Sequence, residues 1–338
     1  MKTVLVTDHA WPSLEIEREV LAEAGAVIVA AETGAEAELV GLAGAADAIM
    51  TCWRPVTPAV LRAAPHCHIV ARYGVGLDNI AVSEATELGM VVTNVPDFCV
   101  DEVADHALAL ILALARHIVP FSRQTRSGLW DNQAAGPMHR LRGRTLGVVG
   151  FGRVGMATAA RAHAFGMRLV AYGPRLTPET CAAAPFPVAW AASLEELLEA
   201  ADVVSLHVPL TPETRALIGA RELARMKSTS LLVNTCRGAV VDADALAGAL
   251  RAGRIAGAGV DVLAQEPPDP ADPLLGLDNV IVTPHAAFFS EESTAELQRR
   301  AAECVVAALR GEVPPSIVNP TVLDRSVLRM SLAGPASR

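Results

Sequence analysis

The sequence predicts an α/β fold made of two doubly wound parallel-sheet domains. Two observations carry this. Short β-rich runs alternate with Ala-, Glu- and Leu-rich helical stretches along the whole chain, and they fall into two series parted by one long apolar helix. The 338 residues suit two domains better than one, and 51% apolar content is ample for two cores.

The first series is TVLVT, AVIVA, AIMT, HIVA and MVVTN. Continuous apolar runs of this length suit strands buried on both faces. MKTVLVT reads directly as the first of them, so no leader peptide is expected. Pro96 closes the series. The stretch VDEVADHALALILALAR then reads as a helix, and its run Ala107–Ala115 is far short of the roughly 20 residues a membrane span needs. A polar, Gly-containing connection, SRQTRSGLWDNQAAGPMHRLRG, leads into the second series: TLGVVG, RLVAY, DVVSLHV, SLLVN, GAGVDV and NVIVT. The helical pattern near Ser290–Leu309 would cap the first series, so the chain is expected to return there. The expected organisation is a discontinuous outer domain (1–97 and 290–325), an inserted inner domain (98–289) and a patternless tail (326–338), with a cleft between the domains.

A net charge of −9 argues against nucleic acid as a partner, and no span argues for a membrane. The cations are nearly all Arg, with Lys only at Lys2 and Lys227. The six cysteines (52, 67, 99, 181, 236, 304) form no CxxC pair, so neither a zinc ribbon nor a redox motif is expected. His66-Cys67-His68 has no partner cluster nearby in sequence, so no metal is expected. A reducing, cytoplasmic setting fits these thiols.

TLGVVGFGRVGMATAARAHAFGMRLVAYG sets Gly150-x-Gly152-x-x-Gly155 between an apolar strand and an Ala-rich helix. That context turns a weak glycine pattern into a dinucleotide-binding, Rossmann-type fingerprint. Gly150 allows the tight turn, Gly152 lets backbone approach the pyrophosphate, and Gly155 lets the helix pack on the strand. Arg153 and Val154 complete the loop at the helix N-terminus, where free N–H groups favour phosphate. The acidic residue that holds the adenosine ribose should fall at position 173. Gly173 stands there instead, followed by Pro174 and Arg175. Gly173 cannot repel a 2′-phosphate and Arg175 can bind one, so NAD(P) is the expected cofactor, with NADP tolerated or preferred. A solvated Arg beside a Gly-Pro turn is the plainer alternative.

With these motifs stand VVSLHVPLTPETRALIG, LLVNTCRGAVVDADALAGALRAGRIAGAGVDVLAQEPP and NVIVTPHAA. Together they resemble the NAD(P)-dependent D-2-hydroxyacid dehydrogenases, from about Val56 to Thr321. ARYGVGLDNI, VTNVPDFCVDEVADHALALILALAR and TPHAAFFSEES further resemble the branch that holds the C-terminal-binding-protein co-repressors and their bacterial dehydrogenase relatives. The resemblance implies a flavodoxin-like substrate domain, an inserted Rossmann domain and a homodimer. It implies reversible reduction of a small 2-keto acid, of glyoxylate, hydroxypyruvate, pyruvate-like or 3-phosphoglycerate type. A cofactor-sensing co-repressor-like protein, or a formate- or phosphite-type dehydrogenase, is the alternative on the same scaffold.

The catalytic residues so implied are Arg237 in NTCRG, Glu266 in AQEPP and His285 in TPHAA. Their chemistry suits the reaction. Ketone reduction needs a proton on oxygen, which His delivers near neutral pH. A carboxylate beside it orients the ring, and Arg237 can bind the substrate carboxylate and polarise the ketone. The resemblance also assigns the backbone of Gly74, Val75 and Gly76 to the substrate carboxylate. It places Val103, His207, Val208, Pro209, Thr235, Cys236, Asp261 and Ala287 along the cofactor, with Asp261 at the nicotinamide carboxamide. Cys236 is not expected to act as a nucleophile, since hydride transfer needs none. Phe288–Phe289 stand where the co-repressor branch has an aromatic pair, either as an apolar lid or as packing.

Overall fold

The computed structural model describes residues 1–331, which form two units. The first joins Met1–Phe98 to the chain from Ser290 onward; the second is Cys99–Phe289.

The first unit holds β1 (Lys2–Val6), β2 (Ala26–Ala30), β3 (Ala48–Thr51), β4 (Ile69–Arg72) and β5 (Val91–Thr93). All pair in parallel, in the order β2-β1-β3-β4-β5. This is the flavodoxin-like order. β3 and β4 are buried along their full length, which explains why AIMT and HIVA show no polar alternation. Helix Glu291–Leu309 belongs to this unit and packs against β4 and helix Glu15–Ala22. Ser290 starts it by accepting the Ser293 N–H at 2.9 Å. Leu297, Ala301, Cys304, Val305 and Ala308 form its buried stripe.

The second unit holds β6 (Thr145–Val149), β7 (Arg168–Tyr172), β8 (Ala189–Trp190), β9 (Val203–Leu206), β10 (Leu231–Asn234), β11 (Gly257–Val260) and β12 (Val280–Val282). The parallel order is β12-β11-β10-β9-β6-β7-β8. Chain direction across the sheet reverses between β6 and β9, the switch point where doubly wound folds bind ligands. Helix Val100–Ala115 buries Ala104, Ala107, Leu108, Leu110 and Ile111 on this sheet. Among the described residues no single helix is long and apolar enough to cross a membrane.

Three features go beyond the sequence reading. β8 is an extra two-residue strand, too short to announce itself in an apolar run. The connection after the long helix is helical at its start, over Ile118–Arg126, beyond a break at His117 in the left-handed region. The described start of the tail, 326–331, is held against the first unit, a point the sequence left open. Arg329 N–H donates to the Gly89 carbonyl at 2.9 Å, its guanidinium reaches the Ala64 carbonyl at 2.5 Å, and Met330 is buried. Gly89 has φ 76, and a side chain there would collide with the Val327 carbonyl. Residues 332–338 of the expected tail lie outside the described residues.

Candidate active site

The glycine loop sits at the switch point. Gly150 follows β6 with φ 94, and a Cβ there would strike the His207 carbonyl at the end of β9. A Cβ on Gly155 would strike the Gly150 carbonyl. Packing and turn geometry therefore demand both glycines. Gly152 is different. It is exposed, its φ is −83, and a Cβ would meet nothing within 4 Å. No protein atom requires glycine there, which fits a backbone left bare for a phosphate. Helix Arg153–Ala164 starts at this point with Gly152 as its N-cap and no side-chain cap, so its first N–H groups are left for a ligand such as phosphate. Arg153 is exposed and Val154 half-buried.

Other residues at the strand ends agree. Thr235, after β10, has a buried hydroxyl with no protein partner among the described residues. His207 hydrogen-bonds the Ser205 hydroxyl at 2.9 Å, and burial pulls its pKa down to about 4, so it stays neutral. Val208, half-buried, and Pro209, exposed, follow it. Val103 is half-buried on helix Val100–Ala115. Beyond β7, Gly173 is half-buried and Pro174 and Arg175 are exposed. The Cys236 thiol donates to Asn234 Oδ1 at 3.1 Å, and burial pushes its pKa up, the opposite of an activated nucleophile. These residues fit a dinucleotide.

The three catalytic candidates all lie in this second unit. Arg237 occupies the loop after β10. A Cβ on the following Gly238 would strike the Leu263 backbone, so two loops run in contact here. Asn234 ties this loop: its Nδ2 donates to the Arg237 carbonyl at 2.9 Å and its Oδ1 accepts the Cys236 N–H at 3.0 Å. Glu266, after β11, accepts the Leu263 N–H at 2.9 Å on one oxygen. Its other oxygen meets His285 Nδ1 at 2.6 Å. Burial alone would raise the Glu266 pKa; the hydrogen bond and charge of His285, the Leu263 N–H and Arg237 outweigh it and hold it below its ordinary 4.5. Glu266 is thus an anion at neutral pH and fixes the imidazole by Nδ1, which leaves Nε2 as the nitrogen that can exchange a proton with a ligand. His285 itself sits at φ 53 in the turn after β12. Its ring meets Phe288 edge-on, with centroids 6.2 Å apart. Phe289 is 60% exposed.

Asp261 is wholly buried and holds that turn. It accepts the Ala286 and Ala287 N–H groups, each at 2.9 Å, one on each carboxylate oxygen. Ala287 is itself buried, with its N–H committed to this bond. Asn234, Thr283 and His106 were not singled out by sequence. Their only signal is the polar residue inside VNTC, VTPH and ADHA; the partners of Thr283 and His106 lie far away in the chain, while Asn234 bonds within its own loop.

In the first unit, Tyr73–Gly76 leaves the end of β4. Arg72 is buried and curls back onto it. Its Nε donates to Asn79 Oδ1 at 3.1 Å, another nitrogen donates to the Tyr73 carbonyl, and its guanidinium lies 5.5 Å from the Trp53 ring. The Gly74 N–H donates to the Arg72 carbonyl at 3.1 Å, and its carbonyl accepts from Val95 at 3.0 Å. Gly74 is therefore bound into the turn, whereas the Val75 and Gly76 N–H groups have no protein acceptor among the described residues.

Residues 108–287, more than half of the chain, match the family described as D-isomer specific 2-hydroxyacid dehydrogenase, NAD binding domain. The chain belongs to this family. It is an NAD(P)-dependent oxidoreductase acting on CH–OH donors, and its two parallel-sheet units are the family's fold. It is 48% identical to a glyoxylate reductase of Korarchaeum cryptofilum over 80% of this chain and 81% of the relative. It is 39% identical to a D-3-phosphoglycerate dehydrogenase of Methanocaldococcus jannaschii, over 94% of this chain and 60% of the relative. Among solved structures it resembles an NADPH-dependent glyoxylate/hydroxypyruvate reductase of Sinorhizobium meliloti, crystallised with NADP and malonate. The TM-score is 0.84 at 30% identity, with 99% of each chain covered.

Proposed function

We propose that this dehydrogenase works chiefly as a reductase of small unphosphorylated 2-keto acids of the glyoxylate and hydroxypyruvate type, with NADPH accepted at least as well as NADH. The observation that carries the reading is the His285 Nδ1–Glu266 hydrogen bond of 2.6 Å beside Arg237, in a family whose similar members are named glyoxylate reductases. When bound, the nicotinamide supplies the hydride. The chain supplies the rest. His285 Nε2 gives a proton to the ketone oxygen as the carbinol forms, and takes it back in oxidation. Glu266 stabilises the charged imidazole. Arg237 holds the substrate carboxylate and draws charge toward the ketone oxygen. Val75 and Gly76 N–H groups are proposed as further carboxylate donors.

A homodimer is part of this proposal. Ile118, Val119, Leu129, Trp130 and Met138 are all exposed within one short stretch, Trp130 by 90%. Exposed apolar clusters of this kind mark association surfaces. A reducing compartment is proposed as well, since all six cysteines are unpaired.

The test is NADPH and NADH oxidation against glyoxylate, hydroxypyruvate, pyruvate and 3-phosphohydroxypyruvate. Turnover is expected with the first two, and His285→Ala should lose about a hundredfold or more in kcat while still binding cofactor. Cofactor-binding protein that turns over none of these acids would overturn the substrate assignment. An active His285→Ala variant would overturn the acid–base assignment.

A further inference from the structure

His285 holds a left-handed backbone that a non-glycine residue keeps only when its surroundings impose it. Asp261 imposes it. Its carbonyl accepts the His285 N–H at 2.8 Å, and its carboxylate takes the next two N–H groups of the turn. The same carboxylate oxygen that meets Ala286 also accepts the Thr283 hydroxyl at 2.5 Å. The Asp261 side chain is fully buried, so its orientation depends on these donors.

Thr283 has a second partner. His106, on helix Val100–Ala115, places Nε2 2.9 Å from the Thr283 hydroxyl oxygen and 3.5 Å from the Asp261 carboxylate. The direction of the chain of bonds follows from proton counting. A carboxylate can only accept, so the single Thr283 proton goes to Asp261. The Thr283 oxygen must then accept from His106, whose Nε2 carries the proton. His106 is thus the outer end of a line, His106 to Thr283 to Asp261, that ends on the N–H groups of Ala286 and Ala287, the two residues that follow His285.

We propose that His106 is a positioning residue for the catalytic turn. Through Thr283 it fixes the Asp261 carboxylate, and through Asp261 it sets where His285 stands against the substrate. A helix on the face of the sheet thereby reaches the proton donor, without touching substrate. This inference rests on the reading of His285 as the acid.

The test compares His106→Leu and Thr283→Val with His106→Gln, which keeps an N–H at the same reach. The first two should each lower kcat about tenfold, with cofactor Kd within about twofold and an unshifted thermal midpoint. His106→Gln should recover most of the loss. The double variant His106→Leu/Thr283→Val should be no worse than either single one, because the residues act in series. Wild-type kcat in His106→Leu, additive losses, or no recovery with Gln would overturn the proposal. His285→Ala separates the two ideas. If it stays active, the acid assignment has failed; if it is dead while His106→Leu is fully active, only the positioning role has.

Discussion

Arg237, Glu266 and His285 were nominated through the family resemblance that their short ordered motifs carry, and Glu266 and His285 meet in the structure at 2.6 Å. What the motifs could not show is how the residues are held. Nothing in GVDV says that Asp261 grips the turn at His285, since that depends on two strand ends meeting. The cofactor question at Gly173 is likewise a residue-scale one. A Cβ there would meet only Leu176 Cβ, at 3.8 Å, an ordinary contact, so an acidic side chain fits without strain. Gly173→Asp should therefore place a carboxylate where a 2′-phosphate would lie, raising KM for NADPH about tenfold or more and sparing NADH. Arg175→Ala should move the preference the same way by a smaller factor. Steady-state kinetics with both cofactors checks this; an unchanged preference in both variants would refute the phosphate reading of this stretch.

The strands announced themselves as elements because buried parallel strands are continuous apolar runs. The two-residue β8 and the helix over Ile118–Arg126 did not. The first is too short to have a period, and the second is amphipathic but buries no residue fully. Glycines separate packing from function at this scale. In β11, a Cβ on Gly259 would come 3.0 Å from Leu110 Cβ and 3.3 Å from Leu114, so the strand needs glycine to admit helix Val100–Ala115. Gly259→Val should cost about 1–3 kcal/mol by overpacking, which lowers the thermal midpoint by several degrees. Gly152→Ala should leave the midpoint unchanged, because its Cβ meets nothing, and should weaken NADPH binding instead. Differential scanning calorimetry with a fluorescence titration distinguishes the two; a destabilised Gly152→Ala would remove the phosphate argument.

For the whole molecule, the alternation of strands and helices was enough to anticipate two parallel sheets. Their strand orders follow from right-handed crossovers and from the reversal at the switch point. The exposed apolar stretch around Trp130 bears on assembly. It borders a cavity of about 490 Å³ lined by Val119, Pro137, Met138 and the starts of β10 to β12. Sedimentation should give twice the 35.3 kDa chain mass, and Trp130→Asp should shift the balance toward monomer. A monomeric wild-type protein would refute the dimer.

The sequence by itself determined all the strands but β8 and where the glycine-rich loop lies, and its resemblance to the family nominated Arg237, Glu266 and His285. The strands and the loop follow from period and spacing, and the three side chains from the motifs that carry the resemblance. Only the tertiary structure decided that Gly74 spends its N–H inside its own turn. It alone decided that the chain after Arg325 docks on Gly89, and that His106, Thr283 and Asp261 stand in line behind His285. Each of these is a hydrogen-bond or steric contact set by backbone geometry or by residues distant in the chain. Such contacts leave no trace in a periodicity, because a periodicity reports only which face of an element is dry.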